Sequence, residues 1–184
     1  LIVARLGTAP VAAVGLAGAL NFIISMIFSA LNVGTTTLVA RNIGAKETEE
    51  AQKVAGQSIF LSLILGLIIS PFVFTFAGSF LMVMSAESDV VMLGTPYLKI
   101  ISSFFILRLI ILTGSAISRG AGDTRTPMFI TLTMNCVNIL FSWVLVFGIG
   151  FFPRMEVSGA AWGTSIAYLT GGVLIFYKLI CRKS

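Results

Sequence analysis

Long uncharged stretches separated by short charged turns dominate this chain. No charged residue falls between Arg5 and Arg41, or between Lys53 and Glu87. A helix rises about 1.5 Å per residue, so about 20 apolar residues cross a hydrocarbon layer about 30 Å thick. Five stretches meet that test, at residues 12–40, 54–84, 97–118, 127–151 and 159–177. The third differs from the others in carrying Lys99 near one end and Arg108 in its middle. Residues 1–6 read as the tail of a preceding span. The pattern predicts an all-α membrane protein, a polytopic transmembrane helix bundle of five complete spans plus the tail of a sixth. The chain opens inside an apolar phrase, with no initiator Met and no visible signal peptide, and is expected to be a piece of a longer protein.

Punctuation supports these spans. Thr126 is expected to cap the fourth, with Pro127 in its first turn, where a missing N–H costs nothing. Pro96 is expected to play the same part before the third. Pro71 lies inside the second and is expected to kink it. Glu47, Glu49 and Glu50 suit the start of a short amphipathic helical segment, where they complement the helix dipole.

Within the spans the polar residues are not scattered. Asn21, Ser25, Ser29, Asn32 and Thr36 recur at steps of three and four and fall on one helical face. Thr131, Asn135, Asn138 and Ser142 repeat the pattern in the fourth span. An amide turned to lipid loses its partners at a cost of roughly several kcal/mol, so both stripes must face protein or water. Two readings stay open: interhelical hydrogen bonding, or a cavity lined for a polar or cationic solute. Small residues form further ridges, Ser58, Ser62, Gly66 and Ser70 in the second span and Gly159 and Gly163 in the fifth, and these suit close helix approach. Arg108 should face the bundle interior or a hydrated cleft, since a mid-bilayer cation costs at least about 2.5–3.5 kcal/mol. Tyr97 and Ser115 share its expected helical face. The arginine reads either as a structural partner of carbonyls or of an acid elsewhere, or as a solute or coupling residue.

Composition narrows the class further. With 57% hydrophobic and 10% charged residues the chain is neither an ordinary soluble globule nor disordered. The net charge of +5 does not point to nucleic acid, because the cations sit between apolar runs rather than in a patch. Alternate loops collect them unequally. Arg41, Lys46, Lys53, Arg119, Arg125, Lys178, Arg182 and Lys183 fall on one face, against Arg5, Arg154 and Lys99 on the other. The positive-inside rule makes the first face cytoplasmic, so loops 41–53 and 119–126 and the C-terminus are expected there. There is no histidine, and the two cysteines, Cys136 and Cys181, have no metal-ligand spacing. All seven acids lie outside the spans or at their ends, so no buried carboxylate offers itself for ion coupling. No nucleophile–base pair or phosphate-binding motif is present. The Arg119-Gly120-Ala121-Gly122-Asp123 run follows a transmembrane helix rather than a strand, and reads as a tight turn. No enzyme is expected.

Several phrases in combination resemble the multidrug and toxic compound extrusion (MATE) family. They are Gly34-Thr35-Thr36-Thr37-Leu38-Val39-Ala40-Arg41-Asn42-Ile43-Gly44-Ala45 with Glu50-Ala51, then Tyr97-Leu98-Lys99-Ile100, and Arg119-Gly120-Ala121-Gly122-Asp123-Thr124-Arg125-Thr126-Pro127. Asn135, Asn138-Ile139-Leu140, Phe147-Gly148 and Val157-Ser158-Gly159-Ala160-Ala161 follow in the family's order. The resemblance implies a twelve-helix carrier of two six-helix lobes. Residues 1–184 would be its N-terminal lobe, from the end of helix 1 through helix 6, partnered by a C-terminal lobe of the same full-length chain.

The implied function is secondary active efflux of drugs or cationic and amphipathic small molecules by alternating access, coupled to sodium ions or protons, in a plasma or bacterial inner membrane. No cofactor other than the coupling ion is implied. The acid that family members carry in helix 1 would precede Leu1. Asn138 matches a cation-site Asn of some prokaryotic members, and Ser142 stands where those members have an Asp. Arg108 stands where the family usually has an apolar residue. The residues expected to line the substrate and cation cavity are Asn21, Asn32, Arg108, Asn135, Asn138, Ser142 and Thr164. Alternatives are a lipid-linked oligosaccharide flippase of the same superfamily, which needs a larger basic cleft, and a non-transporting scaffold or truncated pseudotransporter, which would have apolar residues in place of the Asn stripes. A membrane-embedded enzyme is the most distant reading.

Overall fold

The computed structural model describes residues 3, 7–84, 86–149 and 153–181, with side chains described as far as residue 178. Its elements are α1 (Thr8–Gly44), α2 (Thr48–Val83), α3 (Ser88–Ser103), α4 (Phe105–Gly120), α5 (Arg125–Phe147) and α6 (Glu156–Cys181). Four helices, α1, α2, α5 and α6, are long and apolar enough to cross a membrane alone, and the bent pair α3–α4 makes a fifth crossing if taken as one span. The expected tail at 1–6 lies outside the described residues except for Val3, as do Arg5, Arg182 and Lys183.

The third span departs from expectation. The stretch at 97–118 is not one straight helix. The helical region starts nine residues earlier, at Ser88, and bends by 53° between α3 and α4. Phe104, with φ −103° and ψ 9°, has left helical geometry. Its N–H reaches back only three residues, to the Ile101 carbonyl at 3.1 Å. Side-chain hydroxyls take up carbonyls at the break. Ser102 and Ser103 each donate to the Lys99 carbonyl at 2.9 Å. Ser70 of α2 donates to the Ser102 carbonyl at 2.6 Å. Inside hydrocarbon no water is available for this task, so the break is tenable only where neighbouring hydroxyls replace the lost bonds. Pro96 consequently lies inside α3 rather than at the start of a span. Pro71, by contrast, is accommodated within the single helix α2.

Two further details of punctuation change. The capping group of α5 is Asp123, not Thr126. Its carboxylate accepts the Thr126 backbone N–H at 3.0 Å and the Thr126 hydroxyl at 2.6 Å. The helix already begins at Arg125, which places Pro127 in the first turn as expected. The segment after Glu47 is not a separate amphipathic piece; it is the first turns of α2 itself. All seven acids of the chain flank or open a helix at its N-terminal end: Glu47, Glu49 and Glu50 at α2, Glu87 and Asp89 at α3, Asp123 at α5 and Glu156 at α6. There they oppose the positive end of the helix dipole and stay clear of the apolar midsections.

The core is built by close approach rather than by bulk. The small-residue ridge of α2 is its buried face, with Ser58, Ser62, Gly66 and Ser70 continued by Val73, Ala77 and Leu81. Gly66 admits the backbone of α4, since a Cβ there would stand 3.2 Å from Ile106 Cα. Gly159 and Gly163 do the same between α6 and α5, where added Cβ atoms would stand 2.7 Å from the Leu145 carbonyl carbon and from the Ser142 nitrogen. One apolar cluster joins α1, α2, α3, α5 and α6 through Ala17, Leu81, Leu98, Val146 and Ala161. A second joins α1 and α4 through Phe28, Phe105 and Leu109, with Leu65 and Ile69 of α2 packed against it. Large apolar side chains such as Ile27, Phe60, Ile68 and Phe72 cover the outside, as a lipid-facing surface requires.

Gly163→Leu should force α5 and α6 apart. Overpacking of this kind costs about 1–3 kcal/mol, so the melting midpoint of the purified protein in detergent should fall by at least about 3 °C. Gly56→Ala, whose new Cβ meets nothing within 4 Å inside α2, should not lower it, since alanine is the better helix former. Equal midpoints for both variants would refute the close α5–α6 contact.

Candidate functional site

The polar stripe of α1 faces α4. Arg108, one turn beyond the break, points across to it. Its Nη1 donates to Asn21 Oδ1 at 3.0 Å, and its Nη2 donates to Ser25 Oγ. Both acceptors are held in position from behind. Asn21 Nδ2 donates to the Ala17 carbonyl at 3.0 Å, which turns its oxygen toward the guanidinium. Ser25 gives its own proton to the Asn21 carbonyl at 2.7 Å, leaving oxygen lone pairs for the arginine. The rings of Phe105 and Tyr168 lie 5.9 and 5.8 Å from Arg108 Cζ, within reach of cation–π attraction. The cation is therefore held by an amide oxygen, a hydroxyl and two ring faces. Among the described residues no carboxylate lies within ion-pair distance of it; the ion pairs there are Lys53–Glu50 and Arg154–Glu156, both exposed.

Toward the Arg119 end of α4 the seam continues. Asn32 Oδ1 accepts from Thr113 Oγ1 at 3.3 Å, and the Thr113 and Ser62 hydroxyls stand 2.6 Å apart. Thr36 donates to the Asn32 carbonyl at 2.9 Å and lies 3.1 Å from the Ala116 carbonyl. Thr35 donates to Ser58 at 3.0 Å. Beside this seam runs a groove of about 430 Å³, lined by Ser25, Ser29, Asn32, Thr36, Arg108 and Arg119 together with Val33, Thr37 and Leu112. One face of the stripe thus bonds helix to helix while Ser29 and the edges of Asn32 and Thr36 remain open.

The second stripe divides. Asn138 of α5 donates to Thr164 Oγ1 of α6 at 3.0 Å, and Thr164 passes its proton to the Ala160 carbonyl at 2.9 Å. Thr164 lies one turn from Tyr168, so α6 carries this pair toward the arginine cluster. Ser142 is buried where α6 approaches most closely, against Gly163, and lines neither this pair nor the groove. Thr131 and Asn135 are exposed on the outer face of α5. Tyr97, expected beside Arg108, belongs to α3 on the other side of the break and is buried in the core cluster against which Tyr168 packs. Ser115 is buried. Of the seven expected residues, Asn32 and Arg108 line one groove, Asn21 bonds Arg108 without lining it, and Asn138 meets Thr164 in a second contact. Ser25, Thr113 and Tyr168 complete these contacts. Ser25 was readable from the α1 stripe; Tyr168 carried no signal beyond its spacing of four from Thr164. Chemically the arrangement offers directed hydrogen bonds and one held cation, without a nucleophile–base pair among these side chains.

A sequence profile of the MatE family matches residues 1–144. The uncharacterized transporter YisQ of Bacillus subtilis is 36% identical over 94% of the chain, which spans 38% of that relative's length. A solved inward-facing conformation of a multidrug resistance MATE family transporter of the MOP superfamily superposes with a TM-score of 0.91 at 30% identity, over the whole chain and 41% of the solved one. A solved outward-facing conformation, also of a multidrug resistance MATE family transporter of the MOP superfamily, superposes with a TM-score of 0.90 at 30% identity, over the whole chain and 40% of the solved one. The chain thus spans about two fifths of the length of the proteins it resembles.

The Arg108–Asn21 contact is open to a double-mutant cycle. Asn21→Leu should cost about 1–3 kcal/mol when Arg108 is present, because a charged donor loses its acceptor. It should cost clearly less in an Arg108→Leu background. Thermal melting of the four proteins in detergent gives the coupling, and a value of zero would show that the contact carries no stability.

Proposed function

The chain belongs to the MatE family of transporters, and on that premise we propose that it forms the N-terminal lobe of a secondary active exporter of drug-like small molecules. The observation that carries the reading is the polar seam between α1 and α4, which opens on a groove at the depth of Arg108. Amides and hydroxyls there replace part of a solute's hydration, and the apolar outer surface keeps the seam apart from lipid. Asn21, Asn32 and Arg108 act on the groove side. Asn138 with Thr164, and Asn135 on the surface that a second lobe of the full-length chain would meet, act on the other. Ser142 acts through packing of α5 on α6.

Alternating access is the motion proposed. The chain superposes equally well on an inward-facing and an outward-facing transporter. That equality supports a lobe that moves as one body while the cleft beside it changes side. Coupling to sodium ions or protons is part of the proposal. Because no acid stands inside a described span, the coupling carboxylate would come from elsewhere in the full-length carrier. Antiparallel packing gathers Arg41, Lys46, Lys53, Arg119, Arg125 and Lys178 at one end of the bundle, with Arg154 at the other. We place the first end in the cytoplasm of a cell whose plasma or inner membrane holds the protein.

Proteoliposomes containing the full-length carrier should move a fluorescent drug when a sodium or proton gradient is imposed, and should stop when the gradient is collapsed. Asn138→Leu should slow that movement several-fold at equal incorporation. Drug movement independent of either gradient, or its absence with correctly inserted protein, would overturn the exporter reading.

Orientation has its own test. In a background with Cys136 and Cys181 replaced by Ser, Glu47→Cys should react with an impermeant maleimide only after the cells are opened. Labelling in intact cells would invert the assigned topology.

A further inference from the structure

The groove beside α1 and α4 has a sign. Two guanidinium groups line it, Arg108 at mid-depth and Arg119 at the end of α4, and among the described residues no acidic side chain does. The seven acids of the chain lie at helix N-termini instead. Asn21, Ser25 and the rings of Phe105 and Tyr168 partly replace the hydration of Arg108 but supply no countercharge. A cation in that position raises the energy of a second cation brought beside it and lowers that of an anion, and both effects grow as water is excluded. Ser29, Thr36 and Asn32 border the same space with groups able to bond a carboxylate or phosphate oxygen. Val33 and Leu112 provide an apolar wall.

We infer that this groove recognises amphipathic organic anions, solutes that carry a carboxylate or phosphate on an apolar body, with Arg108 as the charge-bearing contact. The inference rests on the carrier reading and narrows it, since the groove would then disfavour the simple organic cations that the family resemblance implies. Arginine suits the task because its planar fork can keep its bonds to Asn21 and Ser25 while presenting further N–H groups to two oxygens of one anion.

The test uses the purified full-length carrier in phosphatidylcholine nanodiscs, with carboxyfluorescein and a cationic rhodamine of similar size as probes, read by fluorescence anisotropy. The anion should bind at least about tenfold tighter than the cation. Arg108→Gln should weaken anion binding by about tenfold or more and tighten cation binding. Ser29→Asp, an exposed position on the groove wall, should shift the preference the same way without touching the arginine cluster, so the inference remains testable if Arg108→Gln fails to fold. A wild-type preference for the cation, or anion binding that survives both substitutions in monodisperse protein, would overturn it. Anion binding abolished by adding phosphatidylglycerol to the nanodiscs would assign the groove to a lipid headgroup and overturn the solute reading. Gradient-driven cation efflux without anion binding would sink this inference and leave the exporter reading standing. Anion binding without any gradient-driven transport would do the reverse.

Discussion

A polar group carried into the apolar midsection of this bundle is costly unless it finds a partner in the protein, and most of the buried ones do, Ser165 Oγ being the exception among the described residues. The break at Phe104 shows how the protein meets that cost. Bending α3 against α4 disrupts helix hydrogen bonding at mid-depth. Ser102 and Ser103 turn back to the Lys99 carbonyl, and Ser70 reaches over from α2 to the Ser102 carbonyl. The bend places Arg108 one turn into α4, where Asn21 and Ser25 of α1 can reach it. A polar seam therefore begins where the helix fails, and the same hydroxyl chemistry supports both.

Small side chains make the seam possible. A hydroxyl can bridge two helices only if their backbones come close, and the face of α2 that presents Ser58, Ser62, Gly66 and Ser70 permits this. Gly66 lies against Ile106, and Ser62 meets Thr113 one to two turns further along α4. On the other side of the bundle Gly159 and Gly163 let α6 lie directly on α5. The residues that look least chemical thus set the distances at which the chemical ones meet. In lipid, where apolar association between helices has little driving force, such contacts and the bonds they permit carry much of the packing.

Charge is arranged under the same constraint. Acids are kept to helix starts, where the dipole favours them, and most bases to one end of the bundle. Arg108 is the exception, and among the described residues it is surrounded by an amide, a hydroxyl and aromatic faces rather than by a carboxylate. These neutral contacts lower the cost of burying the guanidinium, which also lines the groove between α1 and α4.

Much of this was legible in the residues themselves. Long uncharged runs require membrane helices because nothing else satisfies the backbone in hydrocarbon, and small residues at steps of four mark the buried face of a helix wherever it packs. The one-faced stripe of α1 followed from helical period alone. Tertiary structure decided what the period cannot express. At the bend beside Phe104, the Ser102 carbonyl is taken up by Ser70, a residue distant in sequence. Asp123 rather than Thr126 holds the start of α5, because the turn brings its carboxylate to that N–H. Asn135 and Ser142 sit on the same stripe of α5, yet one is exposed and the other buried, because the backbone of α6 presses on the Ser142 end of α5 at Gly159 and Gly163. Helical spacing states which side chains share a face; which neighbour covers that face, and at what depth, is fixed only when all the helices pack together.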